Sequence, residues 1–310
     1  MKDLIKFVIL GEFKLNSMQP GVVKLKEIKP ALYGYARDAQ SMLSPGELPG
    51  ERIVHDVRVL MKKSRAAIKL LRPQVDEDII NREYFTFRET GRLMRSWRES
   101  CVHRKTLRAL KKKYPAVFNG LEGNPLIENV LKDEELSVEN NLRIKEDLER
   151  IMELIKKSGY RLRFMKLDNI DPDQLFRELE STYISVGKCF MLARNIVKPR
   201  NLHEFRKRAK DFLYQLYFFR QINPKVIKGL EKRLDSMTQN LGKYNDLVVL
   251  VNLLGYKYGK SPSDFNLDEL ILIIRQEQDK FLSKVWPAAY KIFNPGQSLT
   301  TLLGFQTLSF

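Results

Sequence analysis

The sequence has few of the residues from which disulfide frameworks and metal sites are built. Its 310 residues include only two cysteines and three histidines. Cys101 and Cys189 lie outside any Cys-x-x-Cys motif, so neither a disulfide framework nor a thiolate zinc site is indicated. We therefore expect two reduced thiols, no resident metal and no cofactor.

Long apolar runs are also missing. No window approaches the roughly 18 uncharged apolar residues that a membrane-spanning helix needs. The N-terminal stretch "MKDLIKFVILGEF" has a short apolar run, but Lys6 interrupts it and no signal-peptide cleavage site follows. We expect a cytoplasmic protein with no membrane partner.

Positive charge is what the sequence has in excess. The formal net charge is +17, and the isoelectric point is near 9.7. Such a charge indicates a polyanionic partner: nucleic acid, an anionic membrane or a phosphate polymer. The excess is local, since residues 52–72 carry seven Lys or Arg against one acid, and residues 88–113 carry ten against two.

Apolar residues recur at spacings of three and four, which predicts an all-α protein. With 43% hydrophobic residues the chain can bury a substantial core. The predicted helices cover residues 27–43, 51–72, 77–113, 133–158, 172–197, 200–221, 224–256 and 264–293.

The two halves of the chain share a weak repeat. "VHDVRVLMK" at 54–62 matches "LHEFRKRAK" at 202–210 with an offset of 148, and "MRSWRES" at 94–100 matches "LGKYNDL" at 241–247 with an offset of 147. Two matches at nearly one offset predict a duplicated unit of about four helices. The division we expect is an N-terminal extension (1–26), a first helical-bundle repeat (27–160) and a second (161–310).

The basic residues fall on defined helix faces. At about 100° per residue, one stripe runs along the second predicted helix opposite an apolar face, and a second runs along its counterpart in the other half. The first stripe is His55, Arg58, Lys62, Arg65, Lys69 and Arg72; the second is His203, Arg206, Lys207, Lys210, Tyr214 and Tyr217. Arg88, Arg92 and Arg95 share a face of the third helix. Together these faces predict a shared anion site.

Two alternatives remain open at this stage. A metal-dependent phosphohydrolase could start from the His55–Asp56 pair, but three histidines supply few ligands, and Asp56 projects about 100° away from His55 on a helix. A nucleic-acid-binding protein would be equally basic, but it normally adds base-stacking aromatic residues. Most aromatic residues here fall on apolar helix faces, with Tyr214 and Tyr217 as exceptions.

The paired His-acid-apolar-Arg motifs, closed by "LGKYNDLVVL", resemble the CHAD family, the conserved-histidine α-helical domain. The resemblance extends from about residue 27 to the C-terminus. It implies two four-helix bundles related by a pseudo-twofold axis, around a basic central cavity that binds inorganic polyphosphate. No ExExK motif or strand pattern precedes residue 27, so we expect a stand-alone CHAD protein without a CYTH domain.

The expected function is therefore non-enzymatic polyphosphate binding. Motif by motif, the resemblance assigns binding to His55, Arg58, Lys62, Lys63 and Arg65, and to His203, Arg206, Lys207 and Lys210. The stripes add Lys69, Arg88, Arg92 and Arg95 to this set. The resemblance also implies association with polyphosphate granules, and sulfate or phosphate ions beside the stripes in a crystal would test the site.

Overall fold

A computed structural model of the protein describes residues 25–44, 48–131, 138–167, 170–255 and 265–305. These residues form twelve helices and no strand, which confirms the all-α prediction. The helices are α1 (Ile28–Ser41), α2 (Glu51–Leu70), α3 (Glu77–Leu93), α4 (Arg95–Lys113), α5 (Pro115–Asn119), α6 (Pro125–Leu131), α7 (Val138–Phe164), α8 (Pro172–Asn195), α9 (Pro199–Phe219), α10 (Pro224–Leu253), α11 (Phe265–Ile292) and α12 (Leu299–Leu302).

Eight of the nine long helices among the described residues pack as two groups of four, and the ninth, α4, packs on α2 and α10. In the first group α1 packs on α2 and α7, and α3 packs on α2 and α7. In the second group α8, α9, α10 and α11 pack in succession. The contact between α2 and α9 joins the groups, so the two helices that carry the cationic stripes lie side by side. The duplication itself stays a prediction from the sequence repeat.

Capping residues explain where several helices begin. The Asp76 carboxylate accepts hydrogen bonds from the backbone N–H groups of Asp78 and Ile79 ahead of α3. Asp171 caps α8 and Asn223 caps α10, in each case just before a proline at the first helical position. An acceptor side chain satisfies the free N–H groups of the first turn, and proline lacks one of them.

The core is one apolar cluster that spans both groups of helices. On α2 the predicted core face is buried at Val57, Met61 and Ile68, while Leu60 is only half-buried. On α9 the apolar face opposite the stripe is fully buried at Phe205, Phe212, Leu216 and Phe219. A second, smaller cluster joins α4, α5 and α6 to the facing parts of α10 and α11.

The structure differs from the sequence prediction in several element boundaries. The helix expected over 77–113 is broken at Met94 into α3 and α4. The short helices α5, α6 and α12 were not predicted, and α7 continues to Phe164 rather than 158. The boundary expected at 160 therefore falls within α7, while the division into two units stays a prediction.

The predicted N-terminal extension (1–26) lies almost wholly outside the described residues. Of its last residues, Leu25 packs on the core, and the Lys26 N–H donates to the Phe218 carbonyl over 3.1 Å. The described part of the chain contains no helix with both the length and the apolar character of a membrane span.

Candidate anion-binding site

The contact between α2 and α9 is polar on the side of the cationic stripes. The Lys69 ammonium on α2 lies 2.6 Å from the Asp211 carboxylate on α9, and the two side chains are only 13% and 15% exposed. Nearby, the Gln215 amide donates to the Ala66 carbonyl over 3.1 Å. The two helices are thus held together by a largely buried ion pair and a buried hydrogen bond.

One arginine of each stripe donates a hydrogen bond to a backbone carbonyl of the next helix in its group. Arg58 donates to the Gly91 carbonyl of α3, and Arg206 donates to the Thr238 carbonyl of α10 over 3.2 Å. The offset between the arginines is 148 and that between their acceptors is 147, the same two offsets that relate the sequence motifs. The two halves therefore build the same contact at matching positions.

Gly242 explains why α10 accommodates this contact without a break. A Cβ atom at Gly242 would lie 3.0 Å from one terminal nitrogen of Arg206, so the arginine packs directly against helix backbone. The residue that the offset of 147 pairs with Gly242 is Arg95. The first half thus carries a side chain where α10 has glycine, next to the break at Met94.

The two motif histidines are exposed at the start of the stripes. The His203 Nδ1 atom lies 3.1 Å from the Asn245 Oδ1 atom of α10, and Asn245 belongs to the "YND" segment of the motif. His203 lines a cleft of about 830 Å³ where α8 ends and α9 begins. Lys198 and Arg200 line the same cleft, so positive charge continues beyond the stripe.

Acidic neighbours already neutralise part of the second stripe. The Lys210 ammonium lies 3.0 Å from the Asp235 carboxylate of α10. The Glu204 carboxylate lies 2.6 Å from the Lys207 ammonium and 2.9 Å from the Arg208 Nε atom. Burial raises the pKa of Glu204, but the hydrogen bonds from Lys207 and Arg208 outweigh burial and leave that pKa below its usual value.

Arg65 differs from these residues, because no carboxylate partners it within the described residues. Its Nε atom is buried and makes no hydrogen bond. Burial raises the pKa of the nearby Tyr214 on α9 to about 12, although the Arg65 guanidinium opposes that rise by favouring the ionised phenol. An uncompensated guanidinium beside a neutral phenol is suited to hold an anion.

The three arginines predicted on the third helix are exposed and have separate surroundings. Arg92 makes two hydrogen bonds of 2.7 Å to Glu89, and Arg150 of α7 lies 3.4 Å from the same carboxylate. Arg88 acts electrostatically on Glu89 as well. These contacts link Arg88 and Arg92 to α7, whereas Arg95 is the first residue of α4.

Of the remaining predicted residues, His55 is exposed and Lys62 is half-buried, and both have interaction partners. Lys63 points away from the first stripe, and its ammonium lies 5.8 Å from the centre of the Tyr35 ring. The predicted residues on α2 and α9 thus lie on two helices that pack against each other. A continuous central cavity stays a prediction.

Lys63 lines a second cleft, of about 630 Å³, between α1 and α2 on one side and α9 and α10 on the other. Its other lining residues are Tyr35, Leu213, Tyr214, Tyr217, Arg220, Lys228, Glu231, Lys232 and Asp235. Sequence reasoning missed most of these. Tyr214 and Tyr217 could have been found, because they continue the second stripe along the same helix face. Nothing in the sequence indicated Lys228 or Lys232.

The described residues contain no group of three or more His, Cys, Asp or Glu side chains arranged to hold a metal ion. His55 and Asp56 illustrate why, since His55 is exposed on the stripe and Asp56 lies 3.9 Å from Arg52 on its own helix.

Comparison with known proteins identifies the fold family. A search of curated proteins found no match. The family model of the CHAD domain matches residues 46–255, which is more than half of the chain and includes both histidine motifs and the α2–α9 contact. The chain belongs to the CHAD family.

Proposed function

We propose that this protein binds inorganic polyphosphate without transforming it, through the cationic faces of α2 and α9. The observation that carries the proposal is the packing of these two helices against each other, which sets the stripes side by side. CHAD domains are generally associated with polyphosphate binding, and the chain's net charge of +17 suits a polyanion.

The chemistry of the two faces fits a linear phosphate polymer. Arginine offers a planar fork of donors to phosphate oxygens, and lysine offers a mobile point charge. Arg65 has no carboxylate to displace within the described residues, and the His203 ring is exposed at the start of the second stripe. Lys69 and Lys210 lie deeper and would have to exchange a carboxylate for a phosphate.

Several features support binding rather than catalysis. The described residues offer no metal cluster, and the aspartate of the His-Asp pair is turned toward Arg52. A phosphohydrolase normally positions several carboxylate and imidazole ligands around one or two metal ions. Phosphate release from polyphosphate in the presence of divalent metal, lost in a His55→Ala variant, would overturn this part of the proposal.

The site assignment can be tested with the double variant Lys62→Gln/Arg65→Gln. Loss of two phosphate contacts should weaken binding of long-chain polyphosphate and lower the slope of log affinity against log salt by about 2. Lys111→Gln/Lys112→Gln is the matched control, because it removes the same charge from exposed positions at the end of α4. Equal effects of the two variants would sink the assignment.

Nucleic acid is the competing ligand class, and competition separates the two. We expect neither duplex DNA nor single-stranded RNA to displace long-chain polyphosphate at equal phosphate concentration. Tyr214 and Tyr217 are half-buried, and cations already lie near both rings: Lys210 is 5.6 Å from the centre of the Tyr214 ring, and Lys26 is 3.9 Å from that of Tyr217. These cations would compete with a base for stacking. Full displacement by RNA would favour the nucleic-acid reading. In cells, the proposal extends to co-localisation with polyphosphate granules.

A further inference from the structure

We propose that the outer face of α7 binds the same face of a second copy of this chain, with the two helices antiparallel. The outer face is a row of seven exposed residues at spacings of four, three, four, four, three and four: Leu142, Glu146, Glu149, Glu153, Lys157, Tyr160 and Phe164. None of them belongs to the cationic stripes or lines the two clefts described above. This interface therefore does not depend on the proposed function, and either can fail without the other.

Helical geometry places the outer face on one side of α7 and the protein core on the other. At about 100° per residue, all seven side chains of the row fall within about 80°. Buried residues of α7 such as Ile151, Ile155 and Leu162 project in the opposite direction, where α7 packs on α1 and α3. Within the described part of the chain, no helix covers the outer face, since all seven residues are exposed.

Both ends of the outer face are apolar, although the solvent side of a surface helix is normally polar. Leu142 is 57% exposed at one end, while Tyr160 and Phe164 are 69% and 60% exposed at the other. The two rings lie with their centres 4.9 Å apart, so they form one apolar surface. A single exposed apolar residue needs no explanation, but a row that has such residues at both ends suits a protein partner.

The row has the symmetry that is needed to bind its own copy. Its spacings are the same when they are read from either end, with Glu153 at the centre. A twofold axis at Glu153 therefore aligns every residue of the row with a residue of the same row in an antiparallel copy. Leu142 of each copy then lies opposite Phe164 of the other, so both apolar ends are covered at once.

Charges in the middle of the row favour the same arrangement. The acids Glu146, Glu149 and Glu153 fill its first half, and Lys157 begins its second half. Antiparallel packing places Glu149 opposite Lys157 of the other copy, and Glu146 opposite the Tyr160 hydroxyl, which can donate to it. The two copies of Glu153 meet at the axis, but each already has Lys157 of its own helix at 2.6 Å. Parallel packing would instead set every acid against the same acid.

The size of the contact indicates a weak dimer. From Leu142 to Phe164 the row is about 33 Å long. One helix on its copy is a small contact beside the roughly 1,200–2,000 Å² that stable complexes bury. We therefore expect a dimer that forms at micromolar rather than nanomolar protein concentration.

Sedimentation velocity of the full chain over a series of protein concentrations measures the dimer, and a charge swap tests its register. Glu149→Lys and Lys157→Glu each create two pairs of like charges in the dimer, so each should weaken dimerisation by about tenfold. The combined variant Glu149→Lys/Lys157→Glu pairs opposite charges again and should dimerise within about threefold of wild type. Single variants that dimerise as well as wild type, or a combined variant that shows no recovery, would overturn this register.

Leu142→Ser tests the apolar end of the row against a matched control. Leu272 of α11 is also 57% exposed and lies outside the row. Because each dimer loses two apolar contacts, Leu142→Ser should weaken dimerisation by about tenfold, whereas Leu272→Ser should stay within about twofold of wild type. Equal losses would show that the interface lies elsewhere. A chain that stays monomeric at every concentration, yet binds anionic lipid vesicles through Leu142, would make this face a membrane surface and overturn the dimer.

Oxidation with diamide tests where the twofold axis lies. Glu153→Cys places two thiols beside the axis, so the variant should form a covalent dimer. In Leu142→Cys the two thiols are about 33 Å apart, well beyond the roughly 7 Å between Cα atoms that a disulfide allows, so this variant should stay monomeric. The unaltered chain, with Cys101 and Cys189 half-buried, is the blank. Equal yields of covalent dimer from the two variants, including none from either, would contradict the antiparallel contact at Glu153.

Discussion

Gly242 and Gly229 lie in the same helix, α10, and the structure predicts opposite consequences for replacing them by alanine. Nothing lies within 4 Å of a Cβ atom built at Gly229. A Cβ atom at Gly242 would lie 3.0 Å from one terminal nitrogen of Arg206 and 3.2 Å from its Nε atom. Contacts of 3.0–3.2 Å are tighter than most that a Cβ atom makes, so the Arg206 guanidinium has to shift by a few tenths of an ångström.

The magnitudes follow from helix propensity and from the hydrogen bond that Arg206 would lose. Alanine favours a helix interior over glycine by about 1 kcal/mol, so Gly229→Ala should raise the free energy of unfolding by about that amount. At Gly242 the same gain is offset, because a guanidinium shifted by a few tenths of an ångström weakens or loses its 3.2 Å hydrogen bond to the Thr238 carbonyl. A hydrogen bond of a charged group contributes about 1.5–3 kcal/mol, so Gly242→Ala should be neutral or destabilising by up to about 2 kcal/mol.

Denaturant unfolding of the two variants provides the measurement, and a double-mutant cycle with Arg206→Ala provides the control. With Arg206 removed, Gly242→Ala should recover the full gain of about 1 kcal/mol that Gly229→Ala shows. Polyphosphate binding should also weaken in Gly242→Ala and stay unchanged in Gly229→Ala. A Gly242→Ala variant that is as stable as Gly229→Ala, with Arg206 present, would refute the close approach that this reasoning requires.

Three further predictions concern the acidic residues. Asp235→Asn should raise the affinity for long-chain polyphosphate several-fold by releasing Lys210, whereas an unchanged affinity would mean that Lys210 does not contact the polymer. Hydrogen bonds from three side chains outweigh burial and lower the pKa of Glu277 to about 2. The ionised Glu277 carboxylate therefore adds about 1–2 kcal/mol to the free energy of unfolding at pH values above its ordinary pKa, and this stabilisation is lost as the pH falls toward 2. Glu277→Gln should remove that acid dependence from unfolding curves. Glu83 is fully buried and binds Arg161, so Glu83→Ala should destabilise the fold by about 3–5 kcal/mol, and a loss under 1 kcal/mol would contradict this.

Helical periodicity was sufficient to predict the faces of α2 and α9, because burial depends on the phase of each residue about the helix axis. Phe205 and Phe212 are buried and His203 is exposed, as that phase requires. Pro172 and Pro224 likewise marked helix starts, since proline is favoured at a first helical position. These local signals, with the repeat, predicted the all-α architecture and the neighbouring cationic helices.

The sequence could not predict contacts that depend on which helices meet. Asp211 faces the apolar-to-polar boundary of α9, and only the packing of α2 shows that it neutralises Lys69. The cleft is assembled from four helices, so its lysines and tyrosines follow no common period. The break at Met94 also escaped prediction, because the helical pattern of 77–113 is continuous in the sequence.

The internal carboxylates have a consequence for the selectivity of the α2 and α9 faces. Lys69 and Lys210 can reach an anion only if that anion replaces Asp211 or Asp235, and each exchange trades one charged contact for another. A single phosphate gains little from such an exchange, since it must also give up its own hydration. Under the proposed function, a polymer held at Arg65 and the exposed histidines would present further phosphates to Lys69 and Lys210 at a high effective concentration, because those phosphates are tethered to the first. Under the proposed function, we therefore expect the acids to favour long chains over isolated anions.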